Sequence, residues 1–272
     1  MIAEICALFA AITWSLEPLL IKRGLSTISE AVYLFLKLLF ASFLMLPLIL
    51  ITYTPLTFNS TIILLFISLN ATLAYLSFIH ANKYLEASVV VPVAFTYPFF
   101  ASFLAIVFYQ EIFSSYKILA TIFIVMGIWL IFFTKRISRK VIFPLLTSAF
   151  WGLNQYLFKL ILVSESFFLI VWFRNIFSII FLLPLILKDT KKVSKVGIKY
   201  SFINSILVDF IGISFYLYAL KYGSIIPIVS LVSISPVFNF IFDIILLKES
   251  ISNRKILGII SCLTGTIIAL LF

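Results

Sequence analysis

KRISRK, at residues 135–140, places four cations within six positions near the middle of the chain, and long apolar stretches flank it on both sides. Charged side chains in hydrocarbon carry a large free-energy cost, so this stretch must lie in water or at the lipid headgroups. We therefore predict that residues 135–140 link two membrane-embedded halves, residues 1–134 and 141–272.

The composition supports membrane embedding. Of the 272 residues, 64% are hydrophobic and only 11% are charged, whereas an average soluble domain has roughly 25% charged residues. A soluble fold of this length could not cover so much apolar surface with so few charges. The net charge of +10 is spread over short loops and forms no sustained basic face, so it predicts a lipid bilayer as partner and no nucleic acid.

Apolar runs of about 20 residues are long enough to cross the roughly 30 Å hydrocarbon core as helices. Polar interruptions divide the chain into ten such runs, which predicts an all-α integral membrane protein whose connections are too short for a soluble domain. The predicted spans are 3–22, 29–52, 60–80, 85–109, 115–134, 141–161, 167–187, 199–220, 224–247 and 253–272.

The distribution of cations predicts the orientation. Most of the 20 Lys and Arg residues lie in the loops that share a side with residues 135–140, and the other side holds only Lys117, Lys159 and Lys221. Cytoplasmic loops carry the excess of positive charge. We expect a multi-pass protein of the cell membrane, with the basic linker in the cytoplasm and both termini outside.

The chain repeats itself at an offset of 137 or 138 residues, and residue types that seldom match by chance coincide in this register. Five spans in each copy is an odd number, so the second copy enters the membrane from the opposite side. Inverted repeats of this kind are characteristic of secondary transporters that work by alternating access. The coinciding pairs include Trp14 and Trp151, Lys22 and Lys159, Lys37 and Arg174, Pro47 and Pro184, Pro98 and Pro236, Glu111 and Glu249, and Gly127 and Gly265.

These repeated positions resemble the pattern of the EamA-type family of the drug/metabolite transporter superfamily, over the whole chain. The resemblance implies ten helices in a basket, with helices 1–4 and 6–9 around a central cavity and helices 5 and 10 at the periphery. The family usually has Arg in the second helix, where this chain has Lys37. Bidentate recognition by a guanidinium is therefore expected only at Arg174.

Charged residues inside the spans are the first candidates for the site, because each is costly in the membrane unless it has a partner or a function. They are Glu17, Lys37, Arg174, Asp209 and Asp243. Counting residues from the span ends places Glu17, Lys37 and Asp243 near the cytoplasmic side, and Arg174 with Asp209 further out. This predicts two charged clusters that act as gates. Internal ion pairing that only fixes helix packing is the alternative.

Helical spacing adds polar and aromatic side chains to the faces that carry these charges. The functional interpretation is a cavity wall, and ordinary packing is the alternative for each aromatic ring. The additional candidates are Trp14, Asn70, Tyr97, Trp151, Asn154, Tyr216 and Asn239.

Other function classes find less support in the sequence. His80 is the single histidine and no metal-ligand or catalytic pattern is present, so we expect no cofactor and no metal, and an enzyme embedded in the membrane is the weakest alternative. A channel would require rings of polar groups along a pore. A small organic molecule, such as an amino acid-like metabolite or a drug, is the expected substrate.

Three further expectations remain open at this level. Lys37 and Arg174 favour a substrate with a carboxylate or another anionic group. The carboxylates within the spans could couple transport to protons. Small residues along helices 5 and 10 indicate either a packing seam or a dimer face, so the chain is expected to be a monomer or a weak dimer.

Overall fold

The computed structural model describes residues 1–85, 87–110, 115–132, 138–188, 193–247 and 252–271. Throughout this part of the chain, the regular secondary structure is helical. Glu111, Glu249 and residues 135–137 of the predicted linker lie outside the described residues, and so does the side chain of Asp243.

Fourteen α-helices, a short 3₁₀ turn at Arg139–Val141 and a π-helical segment at Ser205–Gly212 make up the described structure. The α-helices are α1 (Ile2–Ser15), α2 (Glu17–Leu25), α3 (Glu30–Thr52), α4 (Phe58–Tyr84), α5 (Ala87–Ala94), α6 (Tyr97–Tyr109), α7 (Ser115–Phe132), α8 (Ile142–Ile161), α9 (Phe167–Ile186), α10 (Lys195–Asn204), α11 (Ile213–Tyr222), α12 (Ile225–Val232), α13 (Ser235–Leu247) and α14 (Asn253–Leu271).

Several helical stretches match the thickness of a membrane. Seven of them in the described residues are long and apolar enough to cross a bilayer, and the shorter apolar helices Tyr97–Tyr109 and Ser115–Ile131 accompany them. The large number of exposed Leu, Ile and Phe side chains fits a surface that contacts lipid.

Three of the predicted spans are divided in the structure. The spans predicted at 3–22, 85–109 and 224–247 each break where the second helix has proline as its second residue, at Pro18, Pro98 and Pro236. Proline has no backbone N–H to donate and is tolerated in the first turn, so the chain begins a new helix there. Pro47 and Pro184, by contrast, lie within the continuous helices α3 and α9.

Helices from one half of the chain pair with helices from the other half. Helix α1 packs against α11 and α12, while α8 packs against α4 and α5. Helix α3 packs against α9, and α7 against α14. The offset of 137 or 138 residues converts the two pairs of α1 into the two pairs of α8, and it maps the pairs α3–α9 and α7–α14 onto themselves.

The seam between α7 and α14 depends on small residues. A Cβ added at Gly127 would lie 2.4 Å from Cys262 Sγ and 2.5 Å from the carbonyl oxygen of Gly258. A Cβ added at Gly265 would lie 2.6 Å from the carbonyl oxygen of Ala120. The predicted small-residue stripes therefore face each other inside the molecule, where close backbone approach is possible only without side chains.

Candidate functional site

A cavity of about 170 Å³ lies within the bundle and is lined by residues from both halves of the chain. This is much more space than one water molecule needs. Ten of the twelve candidates from the sequence line it, namely Trp14, Glu17, Lys37, Tyr97, Trp151, Asn154, Arg174, Asp209, Tyr216 and Asn239.

Four charged side chains form one connected network on the cavity wall. Lys37 Nζ lies 2.5 Å from Glu17 Oε1 and 3.0 Å from Asp209 Oδ2. The other carboxylate oxygen of Asp209, Oδ1, lies 3.2 Å from Arg174 Nη2. Lys37 is only 1% exposed and Asp209 is 6% exposed. Two cations and two carboxylates meet here, so the network carries no net formal charge.

Neutral groups complete this charged network. Tyr75 accepts a hydrogen bond from Lys37 Nζ at 2.8 Å and donates one to Glu17. Arg174 donates to Asn175 Oδ1 from Nε at 3.2 Å and from Nη2 at 2.7 Å. Buried charges are tolerated when they are paired and hydrogen-bonded, and these contacts fulfil that condition for Lys37.

The prediction of two separate charged clusters is wrong. Glu17 does meet Lys37, and Arg174 does meet Asp209, but Asp209 contacts both cations and joins the two pairs. Asp209 lies in the π-helical segment, and π-turns shift the side chains that follow them relative to a regular α-helix. The predicted contribution of Asp243 lies outside the described residues.

A glycine creates room beside this segment for Trp14. A Cβ added at Gly212 would lie 2.5 Å from Trp14 Nε1 and 2.6 Å from Thr13 Oγ1. The indole N–H of Trp14 donates to the carbonyl oxygen of Val208 at 3.3 Å. The π-helical segment thus positions Asp209 and Trp14 against the same cavity.

Aromatic rings form the rest of the wall. The Trp14 ring lies 5.2 Å from that of Tyr216, at an interplanar angle of 47°. The ring of Trp151 lies 5.2 Å from that of Phe78, at 44°. Phe95 and Tyr97 also contact Trp151, with centroid distances of 5.7 and 5.8 Å. The cavity therefore combines a charge-balanced polar network with a large aromatic surface, a combination typical of small-molecule sites.

One amide oxygen on this wall has unused hydrogen-bonding capacity. Asn154 is 4% exposed, and its Oδ1 is buried with no partner among the described residues. Unsatisfied buried polar groups carry a free-energy cost, and a bound ligand is one way to satisfy them.

Two of the predicted asparagines hold helices together. The Asn70 side chain does not line the cavity; its amide donates to the carbonyl oxygen of Phe150 at 2.6 Å and connects α4 to α8. Asn239 does line it, and its amide also donates to the carbonyl oxygen of Ser15 at 2.9 Å, at the end of α1.

Several cavity residues were not predicted from the sequence. They include Tyr75 and Gln155, which accepts a hydrogen bond from the hydroxyl of Tyr216. Gln155 directly follows Asn154 and could have been found as a second polar residue in an apolar run. Tyr75 gave no such signal, because a tyrosine in an apolar helix is usually explained by packing or by the membrane interface.

Among the described residues there is no group of three His, Cys, Asp or Glu side chains that could hold a metal ion. Cys6 and Cys262 are free and buried. The cavity therefore shows groups for recognising an organic molecule, and its described part offers no cluster of typical metal ligands.

Known proteins resemble this chain over its full length. It is 26% identical over 280 residues to an "Uncharacterized transporter" of Archaeoglobus fulgidus, covering 100% of this chain and 99% of that protein. A solved structure described as "Crystal structure of protein" shares the fold with a TM-score of 0.83 at 11% identity, covering 98% of this chain and 96% of the other. The sequence model of the EamA-like transporter family matches residues 1–133 and 138–271. The chain is a multi-pass membrane protein that belongs to the EamA-like transporter family.

Proposed function

We propose that the protein is a secondary transporter that moves a small organic solute by alternating access. The observation that carries this proposal is the central cavity, to which both halves of the chain contribute a tryptophan and a buried cation. In this proposal residues 1–134 and 141–272 are two inverted five-helix repeats, and residues 135–140 link them.

Contacts that recur under the repeat offset support the inverted arrangement. The pair of Trp14 and Tyr216 corresponds to the pair of Trp151 and Phe78, and both have a centroid distance of 5.2 Å. Each pair joins one half of the chain to the other. A pseudo-two-fold axis in the membrane plane would generate such reciprocal contacts and would place the cavity at the interface between the repeats.

The balance of charge favours a neutral or zwitterionic substrate. Lys37 and Arg174 alone suggested an anion, but Glu17 and Asp209 neutralise them within the cavity. A substrate with an N–H or O–H donor would satisfy Asn154 Oδ1. Its apolar part would pack against the aromatic wall.

The ion network also bears on energy coupling. Carboxylates near the middle of membrane proteins often carry protons in transporters, and Glu17 and Asp209 are the described candidates. Both have cation partners, which supports ion pairing as their resting role. A proton-coupled cycle would require at least one of these pairs to open.

The positive-inside distribution supports a cell-membrane location with the linker in the cytoplasm and both termini outside. A channel-like facilitator is the principal alternative, and a membrane-embedded enzyme is a weaker one. The central cavity has no catalytic constellation among its described residues, and the family consists of transporters.

Uptake into proteoliposomes tests the proposal. The purified protein would be offered a panel of radiolabelled neutral, zwitterionic, anionic and cationic metabolites, with and without a pH gradient. We expect saturable uptake of a neutral or zwitterionic compound, and the pH gradient decides whether protons are coupled. Absence of saturable uptake across the panel, with protein that remains folded, would count against the proposal.

A further inference from the structure

Two lysines occupy equivalent positions of the two halves, one turn beyond the cavity. Lys159 lies in the last turn of α8, and Lys22 lies in the last turn of α2, 137 residues earlier. The sequence shows both only as cations that lie near the ends of apolar runs, but their structural environments differ.

Lys159 ties the end of α8 to the end of α11. Its ammonium donates to the carbonyl oxygens of Leu220 at 2.7 Å, Lys221 at 3.4 Å and Gly223 at 2.6 Å. The last carbonyls of a helix have no intrahelical partner, and a cation is favoured beside them. This single side chain therefore fastens two helices at their C-terminal ends.

The fastened helices are two that enclose the cavity. Phe158, the residue before Lys159, lines the cavity from α8, and Tyr216, one turn before Leu220, lines it from α11. The contacts of Lys159 lie directly beyond these two residues. Separation of α8 from α11 would open the cavity toward this end of the bundle.

The other half contains a matching acceptor site at the end of α4. Leu85 N donates to the carbonyl oxygen of Ala81 at 2.8 Å, and Gly223 N donates to that of Ala219 at the same distance. The residues that end the two helices, Leu85 and Gly223, both have extended backbone conformations. The orphan carbonyls of α4 are thus presented in the same way as those of α11.

Lys22 does not use this matching site. Its side chain is exposed, and it makes no hydrogen bond or ion pair with the described residues. Helix α2, which carries it, is separated from α1 at Leu16, with Pro18 in its first turn. The equivalent helix α8 is continuous through Asn154 and Gln155. The break gives α2 a hinge that α8 lacks.

We propose that Lys159 and Lys22 are alternating latches of the transport cycle, an inference that rests on the proposed alternating-access function. In the state described here Lys159 closes the end of the bundle at α8 and α11, and Lys22 is released. In the opposite state Lys159 leaves α11, α2 moves about its hinge, and Lys22 binds the last carbonyls of α4.

Thiol labelling from each face of the membrane tests the latches without a substrate. The reporter is Ala71→Cys, because Ala71 lines the cavity and the native Cys6 and Cys262 are buried. A membrane-impermeant cationic methanethiosulfonate reagent is applied to membrane vesicles of both orientations, and the parent chain without the reporter gives the baseline.

We expect the reporter to be labelled mainly from the face of residues 135–140. Lys159→Met should raise the ratio of labelling from the opposite face to labelling from the face of residues 135–140 about tenfold. This change corresponds to a shift of about 1.4 kcal/mol in the equilibrium between the two states. Lys159→Arg, which keeps the donors and the charge, should retain the parental ratio. Lys22→Met should shift the ratio in the opposite direction, and the double variant should return toward the parent.

The possible failures are distinguishable. Equal labelling from both faces in the parent that neither Lys159→Met nor Lys22→Met shifts would overturn alternating access together with the latches. Face-dependent labelling that Lys159→Met leaves within twofold of the parent would overturn the latch while the carrier proposal stands. If Lys159→Met is not recovered as folded protein, Lys22→Met carries the test alone, and an unchanged ratio there would refute the exchange of latches.

Discussion

Replacing Asp209 by Asn removes the charge that joins the two cations of the cavity. The carboxylate of Asp209 contacts Lys37 Nζ at 3.0 Å and Arg174 Nη2 at 3.2 Å. A hydrogen bond to a charged group contributes about 1.5–3 kcal/mol, and removing one partner of a buried ion pair costs about 3–5 kcal/mol. The amide keeps the shape and one carbonyl oxygen, so we expect a loss of about 3 kcal/mol.

Thermal unfolding in detergent, followed by tryptophan fluorescence, measures this effect. A loss of about 3 kcal/mol corresponds to a fall in Tm of roughly 6–12 °C for a chain of this size. Glu4→Gln is the matched control, because Glu4 pairs with the terminal amine at the surface and such pairs contribute at most about 1 kcal/mol.

A double-mutant cycle makes the same test more specific. Asp209→Asn combined with Lys37→Met should be non-additive by roughly 0.5–3 kcal/mol, because the two groups are in contact. Asp209→Asn that melts within 1 °C of the parent, together with additive effects in the cycle, would refute the reasoning that Asp209 holds the network together.

Three further substitutions address other parts of the structure. Gly127→Leu should destabilise the α7–α14 seam by at least about 1–3 kcal/mol in thermal unfolding, because its side chain would collide with Cys262. Asn154→Leu should leave Tm unchanged or higher, because it removes an unpaired buried oxygen, but should raise the KM for the transported solute about tenfold. Gly212→Val should displace Trp14 and lower both Tm and the transport rate, as measured by fluorescence and uptake.

Each of these three predictions has a clear contrary result. Met126 lies on the same helix as Gly127 but is 54% exposed, so Met126→Leu is the control, and equal stability of both variants would contradict the seam. An unchanged KM in Asn154→Leu would remove this residue from the recognition site. Normal uptake and stability in Gly212→Val would show that the close contact with Trp14 is not required.

The free-energy cost of placing a charged side chain in the membrane predicted part of the site from the sequence. Glu17 and Lys37 were expected to meet, as were Arg174 and Asp209, and both pairs form. The contacts of Asp209 that join the two pairs were not predicted, because counting residues along a span assumes a regular helix and Asp209 lies in a π-helical segment. The π-turn leaves no clear mark in the hydrophobic pattern.

Other features depend on where individual side chains point, which the spacing of residues in the sequence does not reveal. Asn70 shared a helical face with other polar groups, yet its side chain turns to the backbone of α8. Lys159 was predicted only as a cation of the outer side and as the repeat partner of Lys22, since a pattern of residue types carries no information about which backbone carbonyls come within reach. The helix breaks at Pro98 and Pro236 were not predicted, because the spans 85–109 and 224–247 were read as unbroken apolar runs, although proline disrupts a helix by its own covalent structure.

Counterflow in proteoliposomes tests the central claim most directly. Vesicles loaded with a high concentration of unlabelled solute are diluted into a trace of the labelled solute, and its accumulation is followed. A carrier with a cavity that opens alternately to each side predicts transient accumulation above equilibrium, which saturates with the solute and is lost in Lys37→Met. A flux that only equilibrates, without stimulation by solute on the opposite side, would indicate a channel and contradict the account.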